Sequence, residues 1–202
     1  MPSGPDAAAR AAGHAGRDGA VTAGGAVASN ELSWMNFTPL QYDEQLQLKA
    51  RSVHRRFSHQ LAADAAPMTI FASQPRHFRQ RARFAFCRFP PEDLLSYAVY
   101  EKGSLCAVPP NFPIASQAIN ALMPQLLEAL NASTALSNEL AAVHFLSTQT
   151  GDMLVTLIYG GARGLDDSWR EAAIALKEVL GLPALMGRTK GQVLALDRDW
   201  VE

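Results

Sequence analysis

Between Arg76 and Phe89 the chain reads RHFRQRARFAFCRF, and this alternation constrains the fold more than any other stretch. In an extended strand, successive side chains point to opposite faces. Phe78, Ala82, Phe84 and Phe86 then fall on one face, and His77, Arg79, Arg81 and Arg83 on the other. The aromatic face can enter a core, whereas an unpaired row of guanidinium groups cannot follow it there. Arginines two apart on a strand stand about 6.6 Å from one another. Their planar forks fit phosphate oxygens, which makes a polyanion one candidate for that face. Two other readings stay open on these residues alone: a solvated strand face, and arginines paired with carboxylates of a neighbouring strand.

Charge is distributed unevenly around this stretch. Between Lys49 and Arg88 there are nine Lys and Arg against one acid, Asp64, while the rest of the chain carries nine basic and eighteen acidic residues. The formal net charge of −1 therefore hides a basic lobe, which favours a localised anionic partner over general stickiness. With 202 residues, 48% of them hydrophobic, the chain can bury a real core. No run of about 18 apolar residues occurs, so no membrane partner is expected. Cys87 and Cys106 sit in no CxxC and have no spaced histidines, so neither a zinc site nor any other metal is expected.

Residues 1–30 are rich in Ala and Gly without an apolar period and predict a disordered tail. The same stretch, with Arg10 and Arg17, offers an organellar transit peptide as the alternative to a cytoplasmic protein, although Asp6 and Asp18 argue against it. Residues 31–202 then read as one α+β domain with a mostly antiparallel sheet and about three packed helices. Thr38, Pro39 and Gln41 predict a capped helix start, flanked by Phe37 and Tyr42. Tyr42, Leu46, Ala50, Val53, Phe57 and Leu61 form its apolar stripe, running to about Ala62. Met68 to Ala72 predicts a short strand ahead of the arginine strand. Leu95–Tyr100 and Ser104–Val108 predict a hairpin about Lys102-Gly103. A second helix is expected from Ile114 to Leu130, kinked or restarted at Pro124. Ala142–Thr148 and Met153–Tyr159 predict another hairpin. A third helix opens near Asp166, with Ser168 and Glu171 as its capping box, and two short strands, 184–189 and 192–196, close the chain.

The sequence contains no GxGxxG, P-loop, GxSxG or HExxH motif. Gly160, Gly161 and Gly164 follow a predicted strand, but no helix start stands at the right distance for a phosphate cradle. His144, between Val143 and Phe145, reads as structural, and Asp166 and Asp167 read as helix caps. Composition and spacing thus give a nucleic-acid-binding expectation and no active site.

Six collinear segments carry a resemblance: QYDEQLQLK (41–49), HFRQRARF (77–84), FPIASQAINALM (112–123), LDDSWREAAIAL (165–176), Gly187-Arg188 and LDRDWVE (196–202). Together they resemble the N-terminal, RNA-recognising region of bacterial tRNA (uracil-5-)-methyltransferases. The resemblance implies S-adenosylmethionine-dependent methylation at C5 of the T-loop uridine, after the base leaves its stack. In that chemistry a Cys thiolate adds to C6, and a carboxylate later removes the C5 proton. It implies the tRNA T-arm as partner, with Arg79, Arg81, Arg83, His77, Arg188 and Lys190 as RNA-binding residues. In the family a glycine-rich cofactor domain, an Asp-Pro-Pro-Arg motif and a nucleophile in Ser-Cys-Asn-Pro follow the segment resembling LDRDWVE. None of these occurs here, so no catalytic residue and no cofactor are expected on this chain, and a separate catalytic domain is the implied second partner. By the same alignment Ala85 and Ala141 stand where bacterial members carry an arginine and a phenylalanine, Gly160 where they carry a histidine, and Arg83 where they carry an acid. A catalytically dead RNA-binding module and a protein-interaction domain are the alternatives.

Overall fold

The computed structural model describes residues 41–202 apart from positions 63, 102 and 162. The expected tail at 1–30, the Thr38 and Pro39 helix start, the Phe37 flank and Lys102 of the hairpin turn lie outside the described residues. Among those described, four helices and seven strands alternate: α1 (Tyr42–Phe57), β1 (Arg81–Phe89), β2 (Leu94–Glu101), β3 (Ser104–Ala107), α2 (Gln117–Ala132), α3 (Thr134–Ser137), β4 (Leu140–Ser147), β5 (Met153–Tyr159), α4 (Asp167–Val179), β6 (Ala184–Arg188) and β7 (Val193–Ala195). The strands form one sheet in the order β3-β2-β1-β4-β5-β6-β7. Every pairing is antiparallel except β5 with β6. The fold is α+β, as the hairpin pattern implies.

The single parallel pair, within the expected mostly antiparallel sheet, has a topological reason. A chain that returns in the same direction needs a crossover, and α4 supplies it between β5 and β6. Its cap is Asp166, whose carboxylate accepts from the Trp169 amide at 2.8 Å, in place of the expected Ser168–Glu171 box. Trp169 is fully buried, and its Nε1–H donates to the Tyr159 hydroxyl at 2.8 Å. That ring explains Gly187: a Cβ there would stand 2.4 Å from Trp169 Cζ2.

Helices α2 and α4 cover one face of the sheet. From α2 come Ile119, Leu122, Met123, Leu126 and Leu130. This helix begins at Gln117 rather than Ile114, because Ala115 bridges to Arg79 and the Ser116 hydroxyl caps the Ile119 amide. It runs without a break through Pro124, which is exposed, so that a carbonyl freed there can be hydrated. From the sheet come Phe84, Phe86, Tyr97, Val143, Phe145, Val155 and Leu157. Phe84 packs against the rings of Phe112, Tyr97 and Phe145 at 5.2, 5.4 and 6.2 Å. Tyr97 donates its hydroxyl to the Met123 carbonyl, tying β2 to α2.

Helix α1 corrects another expectation. Its stripe is amphipathic, yet it buries no residue and ends at Phe57 rather than near Ala62. Leu48, Val53 and Phe57 are about half exposed, and a Tyr42–Ser73 hydroxyl pair at 2.9 Å links its start to the following segment. The strand expected at Met68–Ala72 does not form. Both edges of β1 are already taken, by β2 and β4, so a strand there could not pair alongside it.

Candidate nucleic-acid interface

The arginine strand is shorter than its alternation suggests. It starts at Arg81, because His77 takes a left-handed backbone (φ 57°) that interrupts the extended run. The residues ahead of it knit instead to the loop before α2. The amides of His77 and Arg79 donate to the carbonyls of Pro113 and Ile114, and the Ser116 amide donates back to Arg79. The His77 ring, through Nδ1, lies 2.9 Å from the Ala115 carbonyl, half-buried beside Asn120. His77 is therefore a brace between two segments and leaves the row in which the sequence placed it. Arg79 is exposed at this junction, just before β1.

Arg81 and Arg83 stand on the sheet face opposite the helices, while Ala82, Phe84 and Phe86 face the core. Register supplies their neighbours. Arg83 lies opposite His144 and Arg81 opposite Leu146 on β4. His144 in turn lies opposite Thr156, and Ile158 opposite Arg188. The three guanidinium groups thus gather about one imidazole. His144 is held below its ordinary range by burial first, then by the charges of Arg83, Arg81 and Arg188. Its Nε2 is buried and has no hydrogen-bond partner among the described residues. Among those residues, no carboxylate lies within ion-pair distance of Arg79, Arg81, Arg83 or Arg188; the ion pairs present are Lys177–Asp197 and Arg198–Asp152. Among the described residues, these arginines do not pair with carboxylates of a neighbouring strand. Lys190 is exposed in the turn between β6 and β7, beyond Arg188.

Ala85, Ala141 and Gly160 also meet on the structure. Ala85 pairs with Ala142, beside Ala141 at the irregularity in β4. A Cβ on Gly160 would lie 3.9 Å from that of Ala141. The open face therefore has a cationic end around His144 and a small-residue end around Ala141.

A cleft of about 760 Å³ lies elsewhere and is lined by Arg88, Asn138, Glu139, Arg163 and Asp166 among others. Its cations are engaged: Arg163 donates to the carbonyls of Ala135 and Asn138 and lies over the Tyr159 ring, and Arg88 donates to the Asp93 carbonyl.

A family model described as tRNA (Uracil-5-)-methyltransferase matches residues 41–202. The chain belongs to the tRNA (uracil-5-)-methyltransferase family. Among its relatives in this family, a tRNA/tmRNA (uracil-C(5))-methyltransferase of Pseudomonas putida is 42% identical over 167 residues, covering 81% of this chain and 44% of that protein. One of the same name from Acinetobacter baylyi is 42% identical over 167 residues, covering 79% and 44%. The chain thus spans less than half the length of these relatives. A solved Pyrococcus abyssi tRNA (uracil-54, C5)-methyltransferase in complex with S-adenosyl-L-homocysteine is 13% identical, with a TM-score of 0.49, over 80% of this chain and 38% of that one.

Burial pushes the Cys87 thiol up to about 11, leaving little thiolate near neutrality. The glycine cluster precedes α4 at some distance, and the Asp166 carboxylate caps the start of that helix. The family segments instead hold the fold together. In the last one, LDRDWVE, the Arg198 guanidinium and the Glu202 amide both donate to Asp152. The Glu202 amide foremost, with Met153 and Arg198, holds that carboxyl below its usual range.

Proposed function

We propose that this chain is the tRNA-binding portion of an S-adenosylmethionine-dependent tRNA (uracil-5-)-methyltransferase, whose methyl-transfer chemistry resides in residues outside it. The observation that carries the reading is the open sheet face, where Arg81, Arg83 and Arg188 act on His144 with no carboxylate paired to them among the described residues. Guanidinium groups fixed on strands are pre-placed for phosphates, and RNA of defined shape offers phosphates at fixed spacing. Family membership supports the T-arm of tRNA as that RNA, and the relatives' names supply the reaction.

The test is the salt dependence of binding to a T-arm hairpin RNA. Each phosphate contact contributes a slope of about 0.7–0.9 in log affinity against log salt. Replacing Arg81, Arg83 and Arg188 together by Ala should flatten the slope by about that amount per contact. A folded triple variant with an unchanged slope removes this face from the interface.

A protein-facing role has its own support, in a different region. Leu48, Val53, Phe57, Leu61, Met68, Ile70 and Phe71 are all exposed, along a segment that also carries Lys49, Arg51, Arg55 and Arg56. A polypeptide supplying the chemistry would find its apolar surface there.

A further inference from the structure

We infer that Tyr100 is a stacking platform for an unpaired RNA base at the rim of the arginine face, an inference that rests on the RNA-binding reading above. Tyr100 is 75% exposed, on a strand whose other aromatic, Tyr97, is fully buried. The difference is one of face. Leu95 and Tyr97 join the core with α2, so Ser96, Ala98 and Tyr100 point to the side away from the helices. Register fixes its position along the face. Ala85 pairs with Ala98; Arg83 lies two residues before the one and Tyr100 two residues after the other. In an antiparallel ladder this brings Arg83 and Tyr100 to the same end of neighbouring strands, on the same face. The phenol ring thus stands at the end where Arg81, Arg83 and His144 gather.

Beside it runs a row of small side chains, of which Ala98 is itself buried. Ala85, Ala98 and Ala107 follow one another across β1, β2 and β3, and none extends past Cβ. Tyr100 itself pairs with Leu105 on the short edge strand β3, with the sheet ending beyond. A base turned out of its stack can lie against the ring while its phosphates remain on the arginines, the division of labour that single-stranded RNA sites use. Isolated exposed aromatics are common and need no explanation. This one differs in sharing a face and an end with a cationic cluster that has no ion-pair partner among the described residues. Trp200, by comparison, is half exposed but has the Arg198 guanidinium 4.8 Å above its ring. The platform also bears on Ala141, where the family resemblance places a phenylalanine: here a ring stands elsewhere on the same sheet.

The experiment uses the whole chain and the T-arm hairpin RNA, with a fluorescent base analogue in the loop. Tyr100→Leu keeps an apolar side chain on the strand and removes the flat ring; Tyr100→Phe keeps the ring and removes the hydroxyl. Stacking on an aromatic is expected to make Tyr100→Leu bind about 5- to 150-fold more weakly, with the salt slope unchanged. Tyr100→Phe should bind like the parent, and the parent alone of the Tyr and Leu proteins should quench the analogue. A Leu variant that binds and quenches like the parent overturns the platform and leaves the arginine face standing. A Phe variant as weak as the Leu variant overturns stacking in favour of the hydroxyl. Absence of RNA binding by the parent chain overturns both this inference and the RNA-binding reading beneath it.

Discussion

Phe84 and Arg83 are neighbours in sequence on β1. Phe84 is 1% exposed against three aromatic rings, whereas Arg83 stands exposed opposite the half-buried His144. The same contrast runs across the sheet: Tyr97 against Tyr100 on β2, and Gly187 under Trp169 against Arg188 on β6. On the helical face every position is set by what it must pack against. On the open face the side chains are held at fixed spacing by the backbone and lack protein partners that neutralise them. A stability measurement should therefore read one face, and a binding measurement the other.

The largest expected effect tests that separation directly. Phe84→Ala should cost about 3–5 kcal/mol in denaturant unfolding, since truncation leaves a cavity among Tyr97, Phe112 and Phe145. Arg83→Ala, one residue away, should change stability by less than about 0.5 kcal/mol while weakening RNA binding. If Arg83→Ala destabilises the fold as Phe84→Ala does, the two faces are not independent and the comparison fails.

A smaller effect is expected where the two faces come closest on β6. Gly187→Ala places a methyl group 2.4 Å from Trp169 Cζ2 and 2.9 Å from Leu165 Cδ1. The ring is fully buried and hydrogen-bonded to Tyr159, so it cannot swing aside. Overpacking of this kind should cost about 1–3 kcal/mol. Thermal unfolding followed through Trp fluorescence reads it, and a neutral substitution would show that α4 can shift on the sheet. Because Arg188 is the next residue, the same variant sharpens the comparison. A displaced β6 should weaken RNA binding as well, through the third guanidinium.

These contrasts were partly legible in the chain. The period of two placed Arg81 and Arg83 opposite Ala82, Phe84 and Phe86, because alternation is a local property of strands. The helix at α2 was legible for the same kind of reason, from an apolar period of three to four residues. What covers a stripe is not local. The periodicity of α1 resembles that of α2, yet α1 buries nothing, since an apolar stripe specifies a need for cover and not its source. Long-range register was equally hidden. Arg188 and His144 lie 105 and 61 residues beyond Arg83, and only the β1–β4–β5–β6 ladder brings them together. His77 looked like part of the row because nothing in a histidine announces a left-handed backbone, and the hydrogen bonds that set it come from Pro113 to Ala115. The choice between Asp166 and Ser168 as cap was a shift of two residues between two good capping types.

The smallest effect concerns His144, the half-buried group of the open face. Burial, then Arg83, Arg81 and Arg188, lower the His144 pKa in the folded chain. An unfolded chain protonates the same imidazole near 6.5, so below that pH the unfolded state binds more protons than the native one. Stability contributed by neutral His144 is thus present above about pH 6.5 and lost as pH falls toward the lower native value. RNA phosphates on the three arginines would offset their charge and raise the His144 pKa in the complex. Binding should then take up protons, and affinity at constant ionic strength should rise as pH falls below 7, by less than about tenfold for each unit of pKa recovered. His144→Gln, which keeps a polar side chain without the titration, should abolish that rise while retaining the salt slope. A pH dependence that persists in His144→Gln would place the titrating group elsewhere and separate the imidazole from the work of the open face.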